Sequence, residues 1–421
     1  MYCRDLETRC QWMPHLGRVT QWIYNLFTER REVVRAQLSM HHYSSARDLP
    51  PSIWDRLVSS PSLTAQRAYL ESIEDEQGSS SHYFIFRDEG RPVGVAHFTL
   101  TAYETPSVAE LMTGASPLTQ RLTRWSRLGD RALSGQLLMC GGASDSGGPG
   151  VVFNEGLEPK LIADALARAV DEVKRRCALR GEAVNATLFQ GSPHLSGLSR
   201  AGYTRFEAEP MMTLTLSPRW LSYADYLGAL TSKYRVKAKR ADAKSAQLES
   251  RRLSPTELTT LKARLSHLYL EVTQRADLHI AYPEVHHLSE LTRALPEHVT
   301  VYGYWLNSEL VGYRVSLKHQ GVLYGHLVGF DYAYNREHSI YPRILNDYVR
   351  EGIERGCRAV CFGRTAGEIK STLGATPEPT HIYLRYSHRV VDRLLPMISR
   401  RVSLPQIHLH RPFRVEDDRV G

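Results

Sequence analysis

One order of elements occurs twice along these 421 residues, and that repetition constrains the fold more than any single motif. In the first half, "HYFIFRDEGRPVGVAHFTLTAYE" alternates apolar and polar residues on both sides of Asp88-Glu89-Gly90, the pattern of an antiparallel hairpin. A strand follows around Gly135 to Cys140. Then comes the periodic helix "LEPKLIADALARAVDEVKRRCALRG", with Pro159 in its first turn, where a missing N–H does no harm. The strand "AVNATLFQG", the short segment "HLSGLSRAGY" and the strand "MMTLTLS" complete the series. The second half gives a hairpin, "VYGYWLNSELVGYRVSL", with Asn307 in its turn, and then the strands of "GVLYGHLVGFDYAY". "YPRILNDYVREGIERGCRAVCFGR" repeats the Pro-led helix that ends in a cysteine before a strand, "EIKSTLGA" stands where "HLSGLSRAGY" stood, and "EPTHIYLRYS" answers "EPMMTLTLS". Six landmarks in the same order predict an internal duplication with a long period.

The length suits two domains plus extensions, and 42% hydrophobic with 23% charged residues is ordinary for a globular chain. A net charge of +8 favours anionic partners such as nucleotides, RNA or acidic headgroups. Six scattered cysteines contain no CxxC pair, so they read as reduced thiols, and no zinc set accompanies Cys357 and Cys361. The amino-terminal residues carry charges where a signal peptide needs its apolar core, and no stretch has the length of a membrane span. A cytoplasmic protein is therefore expected. Residues 15–38 space Leu16, Val19, Trp22, Ile23, Leu26, Val33, Val34 and Leu38 as an amphipathic helix that docks on a neighbouring domain or lies at a membrane surface. Between the halves, Lys233, Arg235, Lys237, Lys239, Arg240 and Lys244 form a basic run, read either as a solvated helix face or as a nucleic-acid contact. Ser254 and Glu257 have capping-box spacing at the start of a further helix.

Hairpin, longer strand, Pro-led helix, strand, short helix and final strand, twice in tandem, resemble the GNAT N-acyltransferase superfamily. More narrowly, the chain resembles its Fem-like branch of paired domains, through "PSIWDRLVSSPSLTAQRAYLESIED", "LTSKYRVKAKRA" and "HSIYPRILNDYVREGIERGCRAVCFGRTAGEIKSTLGA". The resemblance implies an α+β fold of two GNAT-like domains with mixed, mostly antiparallel sheets. The expected division is an N-terminal helical extension at 1–47, a degenerate first domain at 48–218, a catalytic second domain at 219–390 and a C-terminal extension at 391–421. It also implies transfer of an acyl or aminoacyl group from acyl-CoA or aminoacyl-tRNA to the amine of a small molecule or peptide. No permanently bound cofactor or metal is expected; coenzyme A thioester and charged tRNA are the donor candidates, and peripheral membrane contact is compatible with the basic charge. In such domains the helix after the fourth strand offers its first amides to a pyrophosphate. Here that stretch is "NREHSIYPRIL", where Arg336 and Ser339 take the cofactor-binding positions, although Ser339 and Tyr341 replace the usual glycines.

Comparison of the halves singles out "FGRTAGEIKSTLGA", because its counterpart "LFQGSPHLSGLSRAGY" has nothing in place of Glu368 or Lys370. Arg364 and Lys370 are the candidates to bind an anionic group of a substrate. Glu368 is the leading candidate for the base that accepts the amine proton, with His326 on the preceding strand as competitor. Tyr324 and Tyr341 are candidates to line the acceptor pocket. The plainer alternative is a solvated helix start for Glu368 and Lys370 and a packed core side chain for His326. "HH" at 286–287, "HLH" at 408–410 and the glycine-rich "GGASDSGGPG" match no metal or phosphate-loop spacing. The competing function is an inactive binding module that keeps the paired fold to recognise a cell-wall or nucleotide ligand.

Overall fold

The computed structural model describes residues 37–58, 62–74, 81–104, 135–141, 149–190, 193–274, 279–280, 283–401, 404 and 407–414. The amphipathic helix expected over 15–38 lies outside them apart from its last two residues, as does the core of the glycine-rich stretch. The strands are β1 (Ser39–Tyr43), β2 (Ser81–Asp88), β3 (Arg91–Glu104), β4 (Gly135–Cys140), β5 (Val151–Phe153), β6 (Val184–Gln190) and β7 (Thr204–Thr215). They continue as β8 (Glu249–Arg252), β9 (His279–Ile280), β10 (Val299–Leu306), β11 (Glu309–His319), β12 (Val322–Phe330), β13 (Ala359–Cys361) and β14 (Thr376–Tyr386). The helices are α1 (Pro51–Val58), α2 (Arg67–Ile73), α3 (Pro159–Leu179), α4 (Tyr223–Ala229), α5 (Ser232–Lys244) and α6 (Pro255–Thr260). After them come α7 (Lys262–Thr273), α8 (Leu288–Ala294), α9 (Tyr332–His338), α10 (Ile340–Glu354), α11 (Gly367–Ser371) and α12 (Arg389–Ser399).

The duplication is visible in the hydrogen bonding. β2 pairs antiparallel with β3, β3 with β4, and β4 runs parallel to β6. In the second half β10 pairs antiparallel with β11, β11 with β12, and β12 runs parallel to β13. Both hairpins turn through two residues of positive φ, Glu89-Gly90 (45° and 84°) and Asn307-Ser308 (48° and 69°), whose twist suits the flanking strands. The helix between the parallel strands is in each case amphipathic. α3 buries Ile162, Leu166, Ala169, Val170, Val173 and Cys177, and α10 buries Ile344, Leu345, Tyr348, Val349 and Ile353. Capping boxes at Ser222-Asp225 and Ser254-Glu257 start α4 and α6.

The two halves do not each close on their own last strand. The sheet runs β1-β2-β3-β4-β6-β14-β7-β13-β12-β11-β10-β8, with β5 and β9 also on β3. Thus β14, expected to finish the second unit, pairs with β6 of the first, and β7, expected to finish the first, pairs with β13 of the second. Exchange of equivalent strands keeps every ladder bond while joining both units in one sheet. The cores are shared as well. Trp54, Tyr69, Leu70 and Tyr83 pack in one apolar cluster with Leu258, Leu265, Leu268, Val301 and Tyr313. The C-terminal residues 407–414 lie against the second unit: Thr231 N–H donates to Pro412 O at 2.8 Å, and Phe413 packs on Trp220 and Tyr226.

Candidate functional site

The parallel strands of the second unit part company. β12 pairs with β13 only through Val322, Leu323 and Tyr324, whereas β4 pairs with β6 from Gln136 to its last residue, Cys140. Residues 325–330 of β12 therefore keep one edge clear of β13. Two glycines stand where the strands diverge. A methyl added to Gly363 (φ 78°) would lie 3.9 Å from the carbonyl oxygen of Gly325.

Lys370 reaches this point from α11. Its side chain is buried, and Nζ donates to Gly363 O at 3.2 Å. The same carbonyl accepts Met212 N–H at 3.1 Å. Burial lowers the Lys370 ammonium to about 8, while Cys361 and Glu209 oppose the shift. An ammonium has three donors and a single hydrogen bond here among the described residues. Glu368, two residues earlier, projects the other way, since alternate residues on a helix lie on opposite sides. Its side chain is 67% exposed and sits 3.5 Å from His410 Nε2, whose other ring nitrogen is 3.2 Å from Tyr234 Oη. Arg364 is half-buried on the loop before α11. Glu368 and Lys370, which the sequence groups in one motif, thus serve different surroundings.

His326 is placed by an irregularity in β12. The register passes from Gly325↔Ser316 to Leu327↔Val315, leaving His326 as an extra residue. Such a bulge re-aims side chains. Here His326 turns to the first unit, where Tyr69 Oη lies 3.5 Å from its Nε2. The ring is buried, which lowers its pKa to about 4 and keeps it neutral. Tyr324, half-buried at the last paired position, packs with Met211, Ala359 and Cys361. Burial raises its phenol.

A hairpin, a long strand, a helix crossover and a splayed parallel partner are therefore all present in the second half, and residues 232–371 match the family described as "Acetyltransferase (GNAT) domain". The match covers the second unit, which is a GNAT-type domain. No curated protein matches it in sequence. Among solved structures, FemX aligns at 10% identity over 85% of this chain and 100% of its own, with a TM-score of 0.46. A tandem GNAT protein from the clavulanic acid biosynthesis pathway aligns at 12% identity over 83% and 98%, with a TM-score of 0.47. L-PGS from Bacillus licheniformis aligns at 12% identity over 83% and 95%, with a TM-score of 0.44. Acyl transfer is the chemistry for which a GNAT site is built.

In this GNAT unit the expected phosphate cradle is filled from within. Arg336 is exposed in the last turn of α9, and Ser339 is the left-handed junction (φ 50°, ψ 44°) between α9 and α10. The Tyr341 amide at the start of α10 donates to Asn335 Oδ1 at 2.9 Å, and Pro342 has no N–H. The Arg343 amide donates to Ser339 O. These are the groups that would otherwise hold a pyrophosphate, so the departure from glycine at Ser339 and Tyr341 has a structural counterpart. The Tyr341 ring stacks on Phe330, 5.4 Å between centroids, and burial raises its phenol.

The basic run forms α5. Ala238 and Ala241 are buried, and Asn346 on α10 donates to Ala238 O at 3.2 Å and Asp242 Oδ1 at 3.0 Å. Lys233, Lys237, Lys239, Arg240 and Lys244 are exposed and Arg235 half-buried. Tyr234 and Lys237 line a groove with Pro342 and Leu345 of α10 and with Ile369 and Thr372 at α11. Of the predicted site residues, Lys370, Tyr324 and the backbone of His326 gather at the splay, while Lys237 and Glu368 flank the groove side. Sequence reasoning missed Tyr69, whose separation of 257 residues from His326 leaves no local signal, and His410. The glycines of "LYG" and "CFG" were a legible signal for the point of divergence.

Proposed function

We propose that this protein is an N-acyltransferase whose reaction takes place at the splay of β12 and β13, with an aminoacyl ester of tRNA as donor. The observation that carries the proposal is the buried Lys370 ammonium at the mouth of the splay between β12 and β13. In the reaction the amine nitrogen attacks the donor carbonyl carbon. A C–N bond forms, the C–O bond to the ribose breaks, and the proton lost by the amine ends on the departing ribose oxygen. The Lys370 ammonium supports this step as a fixed positive charge for the carbonyl oxygen as it becomes an oxyanion, in a site from which water is largely excluded. His326 brings its backbone to the splay, but its ring is turned to Tyr69 Oη of the first unit, so it is not assigned to the proton transfer. Arg364, Tyr324 and Tyr341 are assigned to contacts with the substrates. Glu368 takes no part in the proton transfer, because its carboxylate is directed to His410.

Two features support an ester donor over a coenzyme A thioester: the occupied start of α10, and the exposed cations of α5 beside it. Contacts to tRNA phosphates through Lys233, Arg235, Lys237, Lys239 and Arg240 would make binding fall steeply with salt. The test is to offer labelled aminoacyl-tRNA and labelled acetyl coenzyme A in parallel to a pool of amines. Label is expected in an amide from the tRNA donor, with loss of transfer at raised salt and in Lys239→Glu/Arg240→Glu. Transfer from coenzyme A alone contradicts the donor assignment. Transfer from neither donor supports an inactive binding module.

A further inference from the structure

The last helix, α12, carries a surface that the acyl-transfer reading does not use. At 100° per residue its side chains sort into stripes. Val391 and Leu395 are buried and, with half-buried Ile398, face the protein, where the helix packs on β7 and β14. Next to them Val390, Leu394 and Met397, spaced i, i+4, i+7, form a second apolar stripe. Val390 is 50% exposed. Beyond that stripe Arg389, Arg393 and Arg400 form a third, all exposed, and Arg401 follows the helix. A helix held only by its own protein needs an apolar arc as wide as its contact. Here the arc extends well past the contact and ends at a row of arginines.

None of these four arginines has an ion pair or a side-chain hydrogen bond among the described residues. The one acid in the helix, Asp392, is already engaged: it accepts Tyr386 N–H at 2.9 Å and lies 4.0 Å from Arg385. Among the described residues the surface therefore offers uncompensated positive charge beside an apolar strip in which Val390 is exposed and Leu394 and Met397 are half-buried. A nucleic acid would meet the arginines and leave the strip in water. An anionic bilayer surface satisfies both, with headgroups at the guanidinium groups and Val390, Leu394 and Met397 at the acyl boundary.

We infer that α12 docks this protein on an anionic membrane surface through Val390, Leu394 and Met397 with Arg389, Arg393 and Arg400. The helix binds in the interfacial plane: among the described residues no helix is long and apolar enough to cross a membrane. In the sequence, membrane contact is only an alternative reading of the amphipathic stretch 15–38 and of the basic run from Lys233 to Lys244. To test the inference, the full chain is sedimented with phosphatidylcholine vesicles and with vesicles that also contain phosphatidylglycerol, without any acyl donor. The protein is expected to bind the mixed vesicles, to release as salt rises and to ignore pure phosphatidylcholine. Arg393→Glu/Arg400→Glu should lower the partition about tenfold or more, and Val390→Asp should weaken it while both variants keep the wild-type melting temperature. Equal binding to the two vesicle types, binding unchanged in both variants, or no vesicle binding overturns the inference. Retention on RNA or on an acidic protein that is lost in Arg393→Glu/Arg400→Glu, without vesicle binding, overturns it in favour of that partner. Because no donor is present, failure here leaves the acyl-transfer reading unaffected.

Discussion

Three buried histidines and the half-buried His42 are held neutral by their surroundings. Burial lowers His97 and His326 to about 4, and it lowers His42 and His82, 3.0 Å apart, to about 4 and about 3. In the unfolded chain these imidazoles protonate near the ordinary value of about 6.5. Between there and about 4 the unfolded state binds more protons than the folded one, so stability falls as pH is lowered through that window. Each fully buried histidine, His97 and His326, contributes a slope of about 1.4 kcal/mol per pH unit. Urea unfolding at pH 7 and pH 5 checks this; a midpoint that does not fall at pH 5 contradicts it. The same residues show how far the sequence could be read. The choice between packed core and catalytic base for His326 depends on one bulge, and "LYGHLVG" does not announce a bulge because either register keeps an alternating pattern. Lys370 and Glu368 were legible as a charged motif, but their opposite directions follow from the helical turn of α11 and from the C-terminal His410.

At the scale of elements, α10 is fixed by a buried polar network. Arg314 on β11 pairs with Glu351, donates to Tyr304 Oη at 3.0 Å, and lies 4.3 Å from the Tyr302 ring centroid. Tyr304 donates to Asp347 Oδ2 at 2.8 Å, Arg343 binds the same carboxylate, and Arg350 joins Asp347 to Asp242 on α5. The network ties β10 and β11 to α10 and α10 to the basic helix. Arg314→Met alone leaves Glu351 buried with one less cation and should cost about 3–5 kcal/mol. Arg314→Met/Glu351→Leu should cost less than the two single changes together, because the buried pair leaves as a unit and Arg355, the other cation on Glu351, is only half-buried and still donates to Thr300 Oγ1 and Glu297 O. Denaturant midpoints of the three variants check this, and strict additivity contradicts it. The hydrophobic spacing of α10 was plain in the sequence, and so was the proline in its first turn. The network was not, since its members are spread from Asp242 to Glu351 and only the sheet register brings them together.

For the molecule as a whole, the twofold order of hairpin, strand, helix and strand was legible because each unit repeats local signals of alternation, turn and helical period. The exchange of β7 and β14 was not, since both strands read alike and pairing partners are set by tertiary contacts. The exchange has a measurable consequence. Residues 1–218 alone lack β14 between β6 and β7, and residues 219–421 alone lack β7 beside β13. Each piece should fail to unfold cooperatively, whereas the two expressed together should form one complex; melting curves and gel filtration check this. A cooperative transition in either isolated half contradicts it.

The central claim is that the Lys370 ammonium acts on the donor carbonyl at the splay. The most direct measurement is the single-turnover rate of amide formation, across pH, for the wild type, Lys370→Met and Lys370→Arg. Because the ammonium is held at about 8, the wild-type rate should fall above that pH as the charge is lost. Lys370→Met should be slower by about 10²–10³ with its fold intact, and Lys370→Arg should retain part of the rate without the alkaline fall. A Lys370→Met variant that forms amide at the wild-type rate would contradict the account.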